Sequence, residues 1–199
     1  MIFGLKNIKF ELVTLLNDDE ETPISMIGQK MLPILEKDDG SFMAESLDII
    51  DYVDANYGGK RVISDDISTG LTNWLSQTHS YLYHLCMPRW ARADLEEFKT
   101  QSAIDYFTVK KESYIGSFAA NLAKSEQLID KANEHLQELD KILQNYNYQD
   151  RISLSDVDLF ATLRSLSIVK ALIYPKNVKE YRQNISLRSK ISLHDDLAN

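Results

Sequence analysis

The chain has 199 residues, of which 44% are hydrophobic, and its 22 basic and 30 acidic side chains give a net charge of −8. This length accommodates one large domain or two modest ones, and the composition is that of a packed globular protein. Because the negative charge repels a phosphate backbone, we expect no nucleic-acid partner, and no apolar run approaches the roughly 20 residues that cross a bilayer. The single cysteine, Cys86, excludes an internal disulfide and fits a cytoplasmic location.

The first 30 residues predict a strand followed by a short helix. Residues 8–13 are predicted to form the strand, because apolar side chains alternate at positions 8, 10 and 12. A turn is expected at 17–19. Thr22 is then predicted to cap a helix that has Pro23 at its first position and ends before Gly28.

A hairpin and a helix are predicted next. Residues 31–35 indicate a strand that contains Pro33, and the run Asp38-Asp39-Gly40 is typical of a tight turn that leads into a return strand at 41–44. Ser46 is predicted to cap a helix that ends at 58–59. Residues 60–69 are polar and rich in turn formers, which indicates a linker.

From about residue 66 onward the pattern is helical and predicts no strand. A first apolar stripe repeats every three or four residues until Pro88 is expected to interrupt it: Leu71, Trp74, Leu75, Thr78, Leu82 and Leu85. Later helices are predicted around 129–143 and 159–166. The last of these has two alternative capping boxes at its start, Ser153 with Asp156 or Ser155 with Asp158.

Two short segments are candidates for a binding site, and each has a structural alternative. Pro33 is either an edge-strand proline or a cis proline that leaves the backbone of Leu32 free to pair with an extended peptide. Ser46 is either a helix cap only or a hydroxyl donor to a carboxylate at the helix N-terminus, where Glu45 meets an ammonium group. Cys86 is predicted to be buried and inert, and the histidine spacing indicates no metal site.

Together these segments resemble a known family. The order of the Pro33 strand, the hairpin at 37–40, the run ESLDIIDYV at 45–53 and a helical remainder is similar to the glutathione-transferase-like superfamily. The runs MIFGLKN at 1–7, LLNDD at 15–19 and LF…LRSL at 159–166 look like the large bacterial glutaredoxins of the glutaredoxin-2 type, over essentially the whole chain.

The resemblance implies a fold class, a domain division and a ligand. The fold class is α/β plus all-α: a thioredoxin-like N-terminal domain with its first strand missing, followed by a glutathione-transferase-like helical domain. The implied domains are 1–59 and 70–199, with the linker at 60–69. Leu32 and Pro33 would correspond to the backbone clamp on the cysteine of glutathione, and Glu45 and Ser46 to the site for its γ-glutamyl end.

The sequence departs from the family at its start. The family begins with a strand and a Cys-Pro-Tyr-Cys loop, which are not among these residues, and the missing strand would lie between 8–13 and 31–35. Three explanations stay open. Met1 is an internal methionine of a longer protein, or another chain completes the sheet, or the first domain is rearranged. The second explanation would make this chain an oligomer, whereas the family resemblance implies a monomer.

The expected function is glutathione-dependent reduction of disulfide-containing substrates, with the catalytic dithiol absent from this chain. The alternative is a non-catalytic glutathione-binding or scaffold protein of the same fold. A glutathione transferase is the least favoured of the three functions, because it needs a thiol-activating residue near the first strand, and that segment is not among these residues.

Overall fold

A computed structural model of the chain describes residues 1–149 and 152–199, with the side chains of His79 and Ser80 excepted. Its N-terminal part contains three helices and a two-stranded hairpin, and a further short strand follows. In chain order these elements are α1 (Ile2–Leu5), α2 (Glu21–Ile27), β1 (Leu35–Glu36), β2 (Phe42–Met43), α3 (Ser46–Asn56) and β3 (Ile63–Ser64).

In the described residues of the C-terminal part, helices predominate and one short strand is present. Its elements are α4 (Thr69–Trp90), a 3-10 turn (Glu96–Phe98), α5 (Gln101–Ile115), α6 (Phe118–Ala123), α7 (Ser125–Leu143), β4 (Ile152–Ser153), α8 (Leu154–Leu166), α9 (Lys176–Ser189) and a 3-10 turn (Asp195–Leu197). The predicted apolar stripes of α4, α7 and α8 meet in the largest buried cluster, so these helix predictions are confirmed. Among the described residues, none of the helices combines the length and apolar character that crossing a bilayer requires.

The predicted hairpin forms, although its ladder is shorter than predicted. Strands β1 and β2 are antiparallel, with Leu35 opposite Met43 and Glu36 opposite Phe42. The turn closes through hydrogen bonds from Lys37 N to Ser41 O and from Gly40 N to Lys37 O, both 2.9 Å, and has Gly40 at a φ of 78°, a conformation that glycine adopts without strain. Residues 31–34 were expected to belong to the same strand as Leu35, but they precede the ladder.

The strand predicted at 8–13 does not form. Within the described part of the chain these residues have no ladder partner, and Leu12 and Val13 are 78% and 69% exposed. The ring of Phe10 stacks on that of Phe3, with 4.7 Å between centroids, instead of entering a sheet. Alternation of apolar side chains produces a strand only where a neighbouring backbone supplies hydrogen bonds and one face is buried.

Two predicted helix ends are wrong in detail. Helix α2 begins at Glu21, so Pro23 is its third residue, and the N–H of Thr22 donates to the Asp19 carboxylate (3.0 Å) instead of Thr22 acting as the cap. Gly28 ends this helix in the left-handed conformation as predicted. Pro88 does not interrupt α4, which continues to Trp90; a proline in the last turn disrupts few helical hydrogen bonds.

A parallel pairing between β3 and β4, which no local sequence pattern predicts, connects the predicted linker to the helical part. Ile63 pairs with Ile152, and Ser64 with Ser153. Ser153 also begins α8 with the predicted capping box to Asp156, so of the two alternatives the Ser153–Asp156 box is the one that forms.

Helix α1 packs against both α3 and α9, and this contact requires a glycine. A Cβ atom added at Gly4 would lie 1.7 Å from the carbonyl oxygen of Ser189 at the end of α9. The two backbones therefore approach to a distance that no side chain permits.

We predict that Gly4→Ala lowers the free energy of unfolding by about 2 kcal/mol or more, because the added methyl group forces α1 away from α9. Urea denaturation followed by circular dichroism measures the change. Gly70→Ala is the matched control: its Cβ would meet Ile142 at 3.6 Å, an ordinary contact, so we expect a change within about 1 kcal/mol. Equal stability of the Gly4 variant and the control would contradict the prediction.

Candidate functional site

The hairpin brings the two predicted site segments to the same end of the structure. Its antiparallel register pairs Leu35 with Met43, so Pro33, two residues before this pair, and Glu45, two residues after it, both flank the same end of the ladder. Leu32, Pro33, Glu45 and Ser46 are all exposed. The turn chemistry around Gly40 therefore sets which backbone segments face each other at this corner.

The segment at Leu32 and Pro33 presents free backbone groups. The bond between these residues is cis, as the functional interpretation of Pro33 anticipated. Neither the N–H nor the C=O of Leu32 has a hydrogen-bond partner in the residues that the structure describes. Since both groups belong to an exposed residue, they are available to pair with an extended ligand backbone.

Glu45 and Ser46 form the N-terminus of α3, with roles that differ from the prediction. Glu45 occupies the N-cap position and Ser46 is the first helical residue, so Ser46 does not cap the helix. Glu45 has φ 70° and ψ 115°, a strained conformation for a residue with a side chain, and strain of this kind is concentrated at functional sites. The first hydrogen bond of the helix runs from Ile49 N to Glu45 O, 2.9 Å.

The start of α3 is suited to a carboxylate. Within the described residues, the N–H groups of Ser46, Leu47 and Asp48 have no acceptor, and they carry the positive end of the helix dipole. The Ser46 hydroxyl adds a donor, while the Glu45 carboxylate offers the opposite charge to an ammonium group. The corner thus combines a backbone clamp with groups that match both charges of an α-amino acid.

Cys86 is not positioned to act as a nucleophile. It is fully buried in α4, and its thiol donates to the carbonyl of Ser165 at 3.3 Å. Burial raises the pKa of the Cys86 thiol to about 12, so the thiolate is negligible at neutral pH. In residues 1–149 and 152–199 no group of three metal-ligating side chains lies together; the side chain of His79, one of the histidines considered above, is outside the described residues.

One contact beside the site was not found by sequence reasoning. The ammonium group of Lys30 lies 4.1 Å from the ring centroid of Tyr106, on α5. Lys30 precedes Leu32 by two residues, whereas Tyr106 is distant in sequence. No local pattern relates the two side chains, and only the tertiary fold brings them together.

Two family models match the chain, one over its N-terminal and one over its C-terminal part. The model described as "Glutaredoxin 2, C terminal domain" matches residues 70–198, and "Glutathione S-transferase, N-terminal domain" matches residues 1–61. Among curated proteins, Glutaredoxin 2 of Escherichia coli K12 is 42% identical over 199 residues, which cover all of this chain and 92% of that protein.

Solved structures agree in fold. Glutaredoxin 2 from Salmonella typhimurium, determined in complex with glutathione, superposes with a TM-score of 0.95 at 42% identity and covers 100% of this chain and 91% of its own. A glutathione S-transferase from Methylobacillus flagellatus, solved with glutathione bound, gives a TM-score of 0.54 at 16% identity, covering 99% of this chain and 90% of its own. The predicted fold class, a thioredoxin-like part followed by a glutathione-transferase-like helical part, is confirmed.

Proposed function

The chain belongs to the glutaredoxin 2 family, and we propose that it binds glutathione at the corner formed by Leu32, Pro33, Glu45 and Ser46. We further propose that residues 1–59 carry this site and that 60–69 link them to a helical domain at 70–199. The single observation that carries the proposal is that the hairpin has the free backbone of Leu32 and the N-terminus of α3 at the same end of its ladder.

Glutathione is an extended tripeptide with charged ends, and the corner matches its chemistry. The N–H and C=O of Leu32 would pair with the backbone around the cysteine of glutathione. The carboxylate of the γ-glutamyl end would accept hydrogen bonds from the first N–H groups of α3 and from the Ser46 hydroxyl, and Glu45 would face its ammonium group.

The reaction class that membership of the family implies is glutathione-dependent thiol–disulfide exchange on disulfide-containing substrates in the cytoplasm. In that reaction a thiolate attacks one sulfur of a disulfide, forms a mixed disulfide and releases the other sulfur as a thiolate; glutathione then resolves the adduct. The 199 residues contain one cysteine, and it is buried with a raised pKa. We therefore propose that this chain, as given, lacks the catalytic dithiol and binds glutathione without turning over a disulfide.

Binding and turnover measured on the same 199-residue chain test this proposal. We expect isothermal titration calorimetry to detect binding of glutathione to the chain, and we expect no glutathione-dependent reduction of a small mixed disulfide. Clear turnover of the mixed disulfide would contradict the proposal that this chain has no reactive cysteine. Absence of binding would favour the alternative function, a scaffold of the same fold.

We predict that Ser46→Ala weakens glutathione binding about tenfold or more, because a hydrogen bond to a charged group contributes about 1.5–3 kcal/mol. Ser76→Ala is the matched control, since Ser76 is an exposed helical serine on α4 whose hydroxyl donates to the backbone of Asn73. Calorimetric titrations of both variants provide the comparison. If the two variants bind glutathione with equal affinity, the Ser46 hydroxyl does not contact the ligand.

A further inference from the structure

We infer that Lys30 is a positioning residue, which fixes the loop presenting Leu32 through its contacts with Asn17 and Tyr106. The inference rests on the proposed function, since it assigns a role in glutathione affinity to residues that do not touch the ligand. It concerns the connection between α2 and β1, residues 28–34, which carries the backbone clamp.

Lys30 is held at three points on its ammonium group. The Nζ atom donates to the carbonyl oxygen of Asn17 (2.6 Å), lies 4.1 Å from the centroid of the Tyr106 ring and is 3.9 Å from a carboxylate oxygen of Glu20. Only 21% of the Lys30 side chain is exposed, so water screens these contacts less than it would on an open surface.

Two of the three partners of Lys30, Asn17 and Tyr106, are tied to the helical part of the protein. The N–H of Asn17 donates to the carbonyl of Glu97 in the first 3-10 turn, at 2.9 Å. Tyr106 belongs to α5, and its hydroxyl donates to the carboxylate of Glu20, which precedes α2. Lys30 therefore connects the loop to the 3-10 turn through Asn17 and to α5 through Tyr106.

The loop has few other restraints between Lys30 and the hairpin. Between Gly28 and β1, the described backbone hydrogen bonds are those of the Gly28 cap and a contact from Met31 N to Gln29 O. The position of Leu32 therefore depends on its two flanking anchors, Lys30 before it and the ladder at Leu35 after it. A clamp of two backbone groups binds well only when it is held in the bound geometry, and a loop that leaves this geometry weakens the apparent affinity in proportion.

Glutathione titrations of three variants test the inference. Tyr106→Ala removes the ring, and we expect affinity to fall about three- to tenfold, the range of a partly shielded cation–π contact. Tyr106→Phe keeps the ring and is expected to restore most of the affinity. Tyr114→Ala is the matched control on the same helix, because Tyr114 is 77% exposed and has no contact of this kind in the described structure.

A second measurement separates positioning from general stability. Hydrogen exchange at the hydrogen-bonded amides of Asn17 and Met31, which donate to Glu97 and Gln29, should be faster in Tyr106→Ala than in Tyr114→Ala, with unchanged exchange in the core of α7. Unchanged glutathione affinity in Tyr106→Ala, or equal exchange in the two alanine variants, would overturn the inference while leaving the proposed function intact. If the unmodified chain binds no glutathione, the proposed function fails, and the inference fails with it.

Discussion

Replacing Asp156 with alanine is expected to lower the free energy of unfolding by about 3 kcal/mol or more, because it removes the acceptor for several buried donors. The Asp156 carboxylate is fully buried at the start of α8. It accepts hydrogen bonds from Ser153 N (2.8 Å), Ser153 Oγ (2.7 Å), Tyr146 Oη (2.9 Å) and Tyr181 Oη (2.8 Å). Chemical denaturation monitored by circular dichroism measures the loss.

Asp158→Ala is the control for this prediction. Asp158 is exposed two residues further along α8 and belongs to the alternative capping box that does not form. We expect its removal to change the stability by no more than about 0.5 kcal/mol. A similar loss in both variants would show that the energy comes from charge at the helix N-terminus and not from the buried network.

The second large effect is expected for Asp54→Asn, which breaks a buried ion pair. The ammonium group of Lys6 donates to Asp54 Oδ1 (2.9 Å) and to the carbonyl oxygens of Asp54 (2.6 Å) and Lys60 (3.1 Å). The side chains of Lys6 and Asp54 are 0% and 2% exposed. Because the neutral amide leaves the Lys6 charge buried without a counter-ion, we expect a loss of about 3–5 kcal/mol in unfolding free energy.

The pKa of Asp54 determines how the free energy of unfolding depends on pH in the acid range. Burial by itself raises the pKa of Asp54, but hydrogen bonds from Val62 N, Ile63 N and the Lys6 ammonium together outweigh burial and lower the pKa below its ordinary value near 3.8. A carboxyl whose folded pKa is depressed contributes stability that is present above the unfolded pKa and is lost as pH falls through the folded pKa. We therefore expect this contribution to decline as the pH falls below about 4 and to be lost below the depressed folded pKa, and Asp54→Asn to flatten that part of the pH–stability curve.

Asp51→Asn is the matched control for Asp54→Asn, on the same helix. Asp51 forms an ion pair with Arg61, but its side chain is 68% exposed, and exposed pairs contribute little. Urea denaturation across acid pH values should therefore show a near-normal curve for this variant. If Asp54→Asn and Asp51→Asn give the same curve, the buried pair does not carry the acid dependence.

Much of the helical architecture was predictable because its signals are local. Leu71, Leu82 and Leu85 repeat at helical spacing and are all buried in α4, and Gly28 ends α2 as its conformational freedom suggests. The box between Ser153 and Asp156 was one of two sequence alternatives, and burial of Asp156 distinguishes them. Each of these features depends on residues that are close in the chain.

The candidate site was also predictable in outline, because turn chemistry and resemblance located both of its segments. Leu32, Pro33, Glu45 and Ser46 were identified from sequence, and the hairpin register explains why they lie at one corner. Their binding role stays a prediction. The positive φ of Glu45 and its N-cap position, which the sequence analysis had given to Ser46, were not predictable, since backbone strain is imposed by surrounding structure.

By itself, then, the sequence determined the periodic helices, the hairpin turn and the family resemblance, all of which arise from side chains a few positions apart or from ordered motifs. Only the tertiary structure decided that 8–13 is not a strand, that β3 pairs with β4, and that Lys6 meets Asp54, 48 residues away. These outcomes depend on which distant backbone or charge becomes a neighbour. Ladder hydrogen bonds and buried ion pairs form only when the fold supplies both partners, and no local pattern encodes the second one.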